Sequence, residues 1–381
     1  MKNIYLLAVV ATTCFFACSS SHKTESNQNS PHASNEWELQ VVDSIQVDYL
    51  GTVGGADYKN GIGVIFNFKE NKLLKFDSTG KILHEQSYPT EGPGKIQYPS
   101  QIKILDEGEV LAASFMGWLY ELNPDLSFKR EIKLEFPTEA KDGGGLLKNL
   151  DIWNGKIISY YPGRDGANPY DPFFFRDHFL LEKINPTTGE SEPIIRIPKT
   201  SRYSTDKYFE RPFLQFVVLK NHLYLTLENE PLIHVYDLAK NNEYQHTFNF
   251  KPSKFLENGE HSKPYEYISF NKMRDAGILQ FYPTEQGIFV LYTEGIPEDI
   301  YQQNELKKPE NFPLHKKYQR QVIKIINPDS TLSNEINLSY RIGRILNIES
   351  LSKPFYALRN DEYLGEEQDY LTFYKLQLVK K

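Results

Sequence analysis

Cysteine is nearly absent: the 381 residues contain two, Cys14 and Cys18, both at the extreme N-terminus. The body of the chain therefore has no disulfide, no thiolate nucleophile and no Cys-rich zinc or iron–sulfur site. Alanine is scarce as well, at 12 residues against 25 Tyr and 24 Phe. That balance disfavours an all-helical protein and favours strands, whose pleated surface suits aromatic and β-branched side chains. After the N-terminus no apolar run is long enough to span a bilayer as a helix. Positive charge is in deficit, 43 Lys+Arg against 50 Asp+Glu, and scattered, whereas nucleic-acid binding requires a clustered basic face. HExxH, P-loop, dinucleotide-binding glycine, GxSxG and EF-hand patterns are all missing. His222, His234 and His246 recur every twelve residues, a spacing that reflects strand length, so neither a metal nor a cofactor is expected.

What is present begins with an address. Lys2 precedes an apolar stretch from Ile4 to Phe16, and Phe15-Phe16-Ala17-Cys18 closes it. This reads as a secretory signal over residues 1–17, too short for a transmembrane helix. Its ending resembles the loose lipobox of Bacteroidetes, which implies cleavage before Cys18 and lipidation of that residue, so that the membrane is a partner through the lipid. Apart from Pro31, Ser19 to Glu36 contains no apolar side chain larger than Ala and is expected to be a flexible tether. Ser19 in place of Asp and the lack of an acidic cluster point to the outer membrane facing the periplasm, with surface exposure left open.

From Trp37 to Lys381 one unit recurs: strand, tight turn, strand, strand, turn built on Asn, Asp, Pro or Gly, strand. Its clearest copy is Gln101 to Phe136. Third-strand, turn, fourth-strand signatures start at Leu73, Leu180, Leu232 and Val322, and six second strands start at Gly63, Val110, Lys156, Leu223, Ile288 and Phe355. The last copy, from ILNIES to YLTFYKLQLVKK, is one strand short, and the unmatched strand WELQVVDSIQV stands at the beginning. The economical solution is an all-β six-bladed β-propeller of four-stranded blades, closed by the N-terminal strand. A two-sheet sandwich or separate small β domains would explain neither end. One short helix is expected near Asp299 to Lys308.

The long insertions are Pro162 to Asp177, Lys199 to Pro212, Lys251 to Gly277 and Gly295 to Tyr318, all joining second to third strands or one blade to the next. Alternating strand direction puts those connections on one face, and long loops in compact domains are often functional. Candidate binding residues there are Arg164, Asp165, Tyr170, Arg176, Arg202, Tyr203 and Arg211, because arginines among aromatics stack on flat or sugar-ring faces and grip carboxylates. Phe173 to Phe175 are read instead as packing. Lys95, Arg211, Asp275, Arg341 and Arg344 fall at blade junctions, near the channel mouth, and are candidates too, as is Arg274.

Phe76-Asp77, Gly80 and Glu91-Gly92-Pro93-Gly94, within Asn71 to Ser100, resemble a family of Bacteroidetes lipoproteins known as domain of unknown function 4221. The chain is also similar, more distantly, to six-bladed propeller lipoproteins. Where the family tends to place Asn after the Pro, this sequence has Gly94, which serves a positive-φ turn equally well. The resemblance implies an envelope-anchored propeller and brings no catalytic residues. The expected function is non-catalytic binding of a glycan, peptide or envelope protein through the long-loop face. The alternative is a glycan hydrolase or lyase at the same face, and a third reading is a scaffold for an envelope complex.

Overall fold

The computed structural model describes residues 36–67, 69–97, 99–114, 116–138, 149–257, 260–261, 274–366 and 368–381. The signal segment, Cys18, most of the tether and much of the Lys251 to Gly277 insertion lie outside the described residues.

Each repeat folds as a four-stranded antiparallel sheet, and six sheets form a ring. Blade 1 comprises Val53–Lys59, Ile62–Asn67, Lys72–Asp77 and Ile82–Ser87, from the channel outward. Blade 2 comprises Pro99–Ile104, Val110–Ser114, Leu119–Leu122 and Phe128–Ile132; blade 3, Leu150–Trp153, Lys156–Ser159, Leu181–Ile184 and Ser191–Ile194. Blade 4 comprises Leu214–Leu219, His222–Leu227, Leu232–Asp237 and Glu243–Asn249; blade 5, Gly277–Thr284, Gly287–Thr293, Gln321–Ile326 and Ile336–Leu338. Blade 6 takes Ile342–Asn347, Phe355–Arg359 and Leu371–Lys380 from the C-terminal end and Trp37–Val47 from the N-terminal end. The closing strand pairs antiparallel from Trp37 opposite Lys380 to Val47 opposite Leu371, with a bulge between Val41 and Asp43.

Successive side chains of a strand point to opposite faces of its sheet, so a blade clamped on both sides must be apolar at consecutive positions. In blade 3, Ile157 packs into the core shared with blade 2 and Ile158 into the core shared with blade 4. The same rule gives six apolar clusters, one for each blade-to-blade interface. A seventh, of Ile296, Tyr301 and Leu306, belongs to the insertion of blade 5. No helix of the described residues is long and apolar enough to cross a membrane. The expected short helix is Glu298–Gln303, and single helical turns also occur at Phe174–Asp177, His315–Tyr318 and Asp361–Leu364.

Turn chemistry fixes the hairpins. Asn60-Gly61 and Asn154-Gly155 have positive φ at both residues, the requirement of a two-residue turn that matches strand twist. Between third and fourth strands a carboxylate folds back on its own chain. Asp77 Oδ1 accepts from the Thr79 hydroxyl at 2.6 Å and the Thr79 amide at 2.8 Å. Asp125 with Ser127 and Asp329 with Thr331 repeat this, with hydroxyls at 2.6 Å and amides at 3.0 Å.

The innermost strands leave one edge of every sheet facing the channel, and unpaired edge groups buried there would be costly. Each is met by a side chain from the preceding blade. Asp57 accepts from the Ile104 amide at 2.8 Å, Gln101 from the Asn149 amide at 3.3 Å, and Asp151 from the Val218 amide at 2.8 Å. Gln215 donates to the Ile278 carbonyl at 2.9 Å, Gln280 bonds both the amide (3.1 Å) and carbonyl (2.9 Å) of Ile345, and Asn347 donates to the Tyr58 carbonyl at 3.1 Å. These links run unbroken from blade 1 round to blade 1.

Candidate functional site

Strands alternate in direction, so the second-to-third and blade-to-blade connections share one side, and the ordered insertions stand there around blades 3, 4 and 5. Their cations are mostly held by the protein itself. Arg164 forms a bidentate pair with Glu182, at 2.8 Å and 2.7 Å, and donates to the Ser191 carbonyl and hydroxyl, while its guanidinium lies 4.9 Å from the Phe136 ring centre. Glu182 is buried, so replacing Arg164 would strand a carboxylate in the sheet; Arg164 is a structural partner as much as a binding candidate. Arg176 chelates Asp177, reaches Asp206 at 2.5 Å and lies 4.1 Å from the Phe173 ring centre. Phe174 and Phe175 pack into the core between blades 3 and 4, as packing residues should.

Arg202 donates to the carbonyl and side chain of Asn229 and covers Phe209 at 4.5 Å. Tyr203 beside it is buried, which pushes its phenol well above the ordinary range and removes it from any exposed site. Under this loop lies a polar chain that sequence reasoning missed. Ser201 Oγ donates to Glu230 at 3.0 Å and 2.9 Å, His234 Nε2 sits 3.1 Å from Glu230 Oε1, and His234 Nδ1 sits 2.8 Å from the Thr247 hydroxyl. Serine, carboxylate and histidine are the members of a nucleophilic triad, but here the carboxylate stands between the other two and His234 does not touch Ser201. With Glu230 at 1% and His234 at 0% exposure, no substrate reaches them; the chain pins the Lys199 to Pro212 insertion to blade 4.

Arg211 lies 4.7 Å from the ring centre of exposed Tyr170, and burial, opposed by the nearby Glu228 charge, lowers its guanidinium to about 10. Arg274 pairs with Glu298 and donates to the Ile296 carbonyl, closing the blade 5 insertion onto its base. The neighbouring Asp275 carbonyl accepts from Gln319 at 2.9 Å. Lys95 faces the Trp118 ring at 5.5 Å. Arg341 is exposed ahead of blade 6, whereas Arg344 is not at a junction. Its strand starts at Ile342, three residues before the sequence repeat indicates, so Arg344 points into the channel region, donates to the Gly54 carbonyl at 3.3 Å and is lowered by burial. Of the junction candidates, Arg344 alone is thus moved into a strand.

The residues that do converge enclose a cleft of about 220 Å³ at the loop end of blade 3. Tyr161 to Asp165 form one wall, Phe174 and His178 to Glu182 another, and Pro193 with Arg196 a third. Of the sequence-derived candidates it contains Arg164 and Asp165; His178, Phe179 and Arg196 were not singled out. The sequence offers a signal for Arg196 alone, which interrupts the apolar run Ile194 to Ile197; only the structure shows Phe179 42% exposed where its neighbour Leu180 is buried. Among the described residues no cluster of three His, Cys, Asp or Glu forms a metal site.

No protein-family model matches the sequence, and no curated protein matches it. Solved structures do. The chain shares its fold with a member of the domain of unknown function 4221 family. That protein, from Bacteroides vulgatus, superimposes with a TM-score of 0.63 at 12% identity over 91% of this chain and 100% of its own. A putative exported protein of Bacteroides fragilis superimposes with a TM-score of 0.53 at 13% identity over 92% of this chain and 96% of its own. The six-bladed propeller expected from the repeats, and the likeness to family 4221 expected from the first blade, are both found.

Proposed function

We propose that the protein is a lipid-anchored propeller of the cell envelope that binds a ligand or partner through its long-loop side without transforming it. The observation that carries this is the state of the inserted loops and their flanks: the loops present cations already seated over aromatic rings, Arg176 on Phe173 and Arg211 on Tyr170, and beside them Arg196 lies on Phe179. Aromatic and guanidinium groups held in place before binding lower the ordering cost of recognition. The lipid anchor rests on the Phe15-Phe16-Ala17-Cys18 motif, and export is in keeping with the likeness in fold to the Bacteroides fragilis protein described as a putative exported protein. Against hydrolysis of a glycan, the cleft of blade 3 offers Asp165 and Glu182 as its described carboxylates, and Glu182 is engaged by Arg164, whereas the usual mechanism needs two free carboxyl groups.

Thermal unfolding against glycans, peptidoglycan fragments, peptides and envelope proteins tests the reading. A ligand at about 100 times its Kd stabilises by roughly 2.7 kcal/mol, a shift of at least about one or two degrees in a domain this large. A panel with no shift, and no partner captured from envelopes, would sink it. The anchor is tested separately: Cys18→Ser should abolish labelling with a palmitate analogue and release the protein from membranes.

A further inference from the structure

We propose that the blade 3 cleft is a subsite for a single carboxylate-bearing sugar ring, such as a uronic acid residue at the end of a glycan; this rests on the binding reading above. The cleft's size, about 220 Å³, suits one pyranose ring and little more. Within its lining Arg164 and Glu182 neutralise each other through their bidentate pair, which leaves Arg196, Asp165 and His178 as the polar groups available to a ligand. Arg196 is held rather than waving. One amino group donates to the Asp177 carbonyl at 2.6 Å, and the guanidinium carbon lies 4.1 Å from the centre of the Phe179 ring. Its other N–H groups make no hydrogen bond among the described residues, although the Asp177 carboxylate is near enough to feel its charge, and a planar guanidinium in this state presents a fork that matches a carboxylate.

The rest of the lining suits the remainder of a sugar. Asp165 is exposed and accepts hydrogen bonds, as vicinal hydroxyls require, and His178 is exposed with its ring stacked on Phe174 at 5.3 Å. Phe179 and Tyr161 supply flat apolar surface for the C–H face of the ring. Placing these groups strains the chain. Ile195, directly before Arg196, has a φ of 64°, a region a β-branched residue rarely enters, and Asp165 has a φ of 56°. The Ile195 carbonyl nonetheless accepts from the Leu180 amide at 2.8 Å, so the kink is bolted to the start of the third strand and turns Arg196 outward beside Phe179.

The test is calorimetric titration of the full-length protein with glucuronate and galacturonate, and with glucose and galactose as uncharged counterparts. The uronates should bind, the neutral sugars more weakly. Arg196→Gln, which removes two surface contacts, to the Asp177 carbonyl and the Phe179 ring, and should melt within a degree or so of the parent, should weaken the uronates about tenfold to a hundredfold and the neutral sugars little. Phe179→Ala should weaken both. Uronate binding unchanged in Arg196→Gln would overturn the subsite. So would no uronate binding while another compound of the thermal panel binds, a result that leaves the proposed function standing. Silence from every compound and every envelope partner would remove both.

Discussion

Glu230 shows how one side chain can organise a loop. It accepts from Ser201 and from the Arg202 amide and faces His234, all in the interior. Glu230→Ala would leave three polar groups without their partner, and an expected loss of about 3 kcal/mol should appear in the denaturant midpoint. A loss below about 1 kcal/mol would mean that water replaces the carboxylate. The turn carboxylates act in the opposite place, at the surface. Asp77, Asp125 and Asp329 are held below the ordinary carboxylate range, first by a neighbouring hydroxyl and then by a backbone N–H. A carboxyl depressed in the folded state adds stability that is complete above its unfolded value, near 4, and is lost as pH falls through the folded one. The melting temperature should therefore drop on acidification from about pH 5 towards pH 2, and Asp125→Asn with Asp329→Asn should flatten that drop. An unchanged profile in the double variant would remove these turns from the acid response.

At the scale of the element, the turn after the third strand of blade 1 touches the closing strand. Gly80 has a φ of 88°, and a Cβ there would stand 2.0 Å from the Gln46 carbonyl oxygen. Gly80→Ala should cost at least about 1–3 kcal/mol, and hydrogen exchange should locate the loosening in Trp37–Val47; protection unchanged in that strand would refute the contact's importance. What the sequence disclosed follows the same logic. Second strands such as Gly287–Thr293 are buried along their whole length and read as unbroken apolar runs. The first strand of blade 1, VGGADYK, carries two glycines and an aspartate whose job is to link to blade 2, so no apolar pattern announced it. Helices of four residues span barely one 3.6-residue turn, too little for a period to show. The cleft stayed hidden because His178, Phe179 and Arg196 are gathered by a backbone kink at Ile195, and a left-handed isoleucine has no sequence signature.

For the whole molecule, closure depends on residues more than three hundred positions apart. Removing everything before Tyr49 should expose the outer edge of Leu371–Lys380 and uncover Phe373 and Leu376. The shortened protein is expected to aggregate or lose its cooperative melt, measured by scattering and circular dichroism; a normal melt would refute the role given to that strand. The six-membered chain of channel links makes the same point from inside, because Asn347 reaches Tyr58 when blade 6 meets blade 1.

The order in which the closing strand can pair has a consequence in time. Trp37–Val47 is made more than three hundred residues before its partner Leu371–Lys380, so it waits, unpaired, while the other strands of the ring are made. Until then five interfaces can form while the sixth stays open, and an apolar seam is exposed during synthesis. Such a chain has a natural window for chaperone capture that closes only when Leu371–Lys380 has been made, and a ribosome stalled just short of that strand would hold a molecule that is built but unsealed.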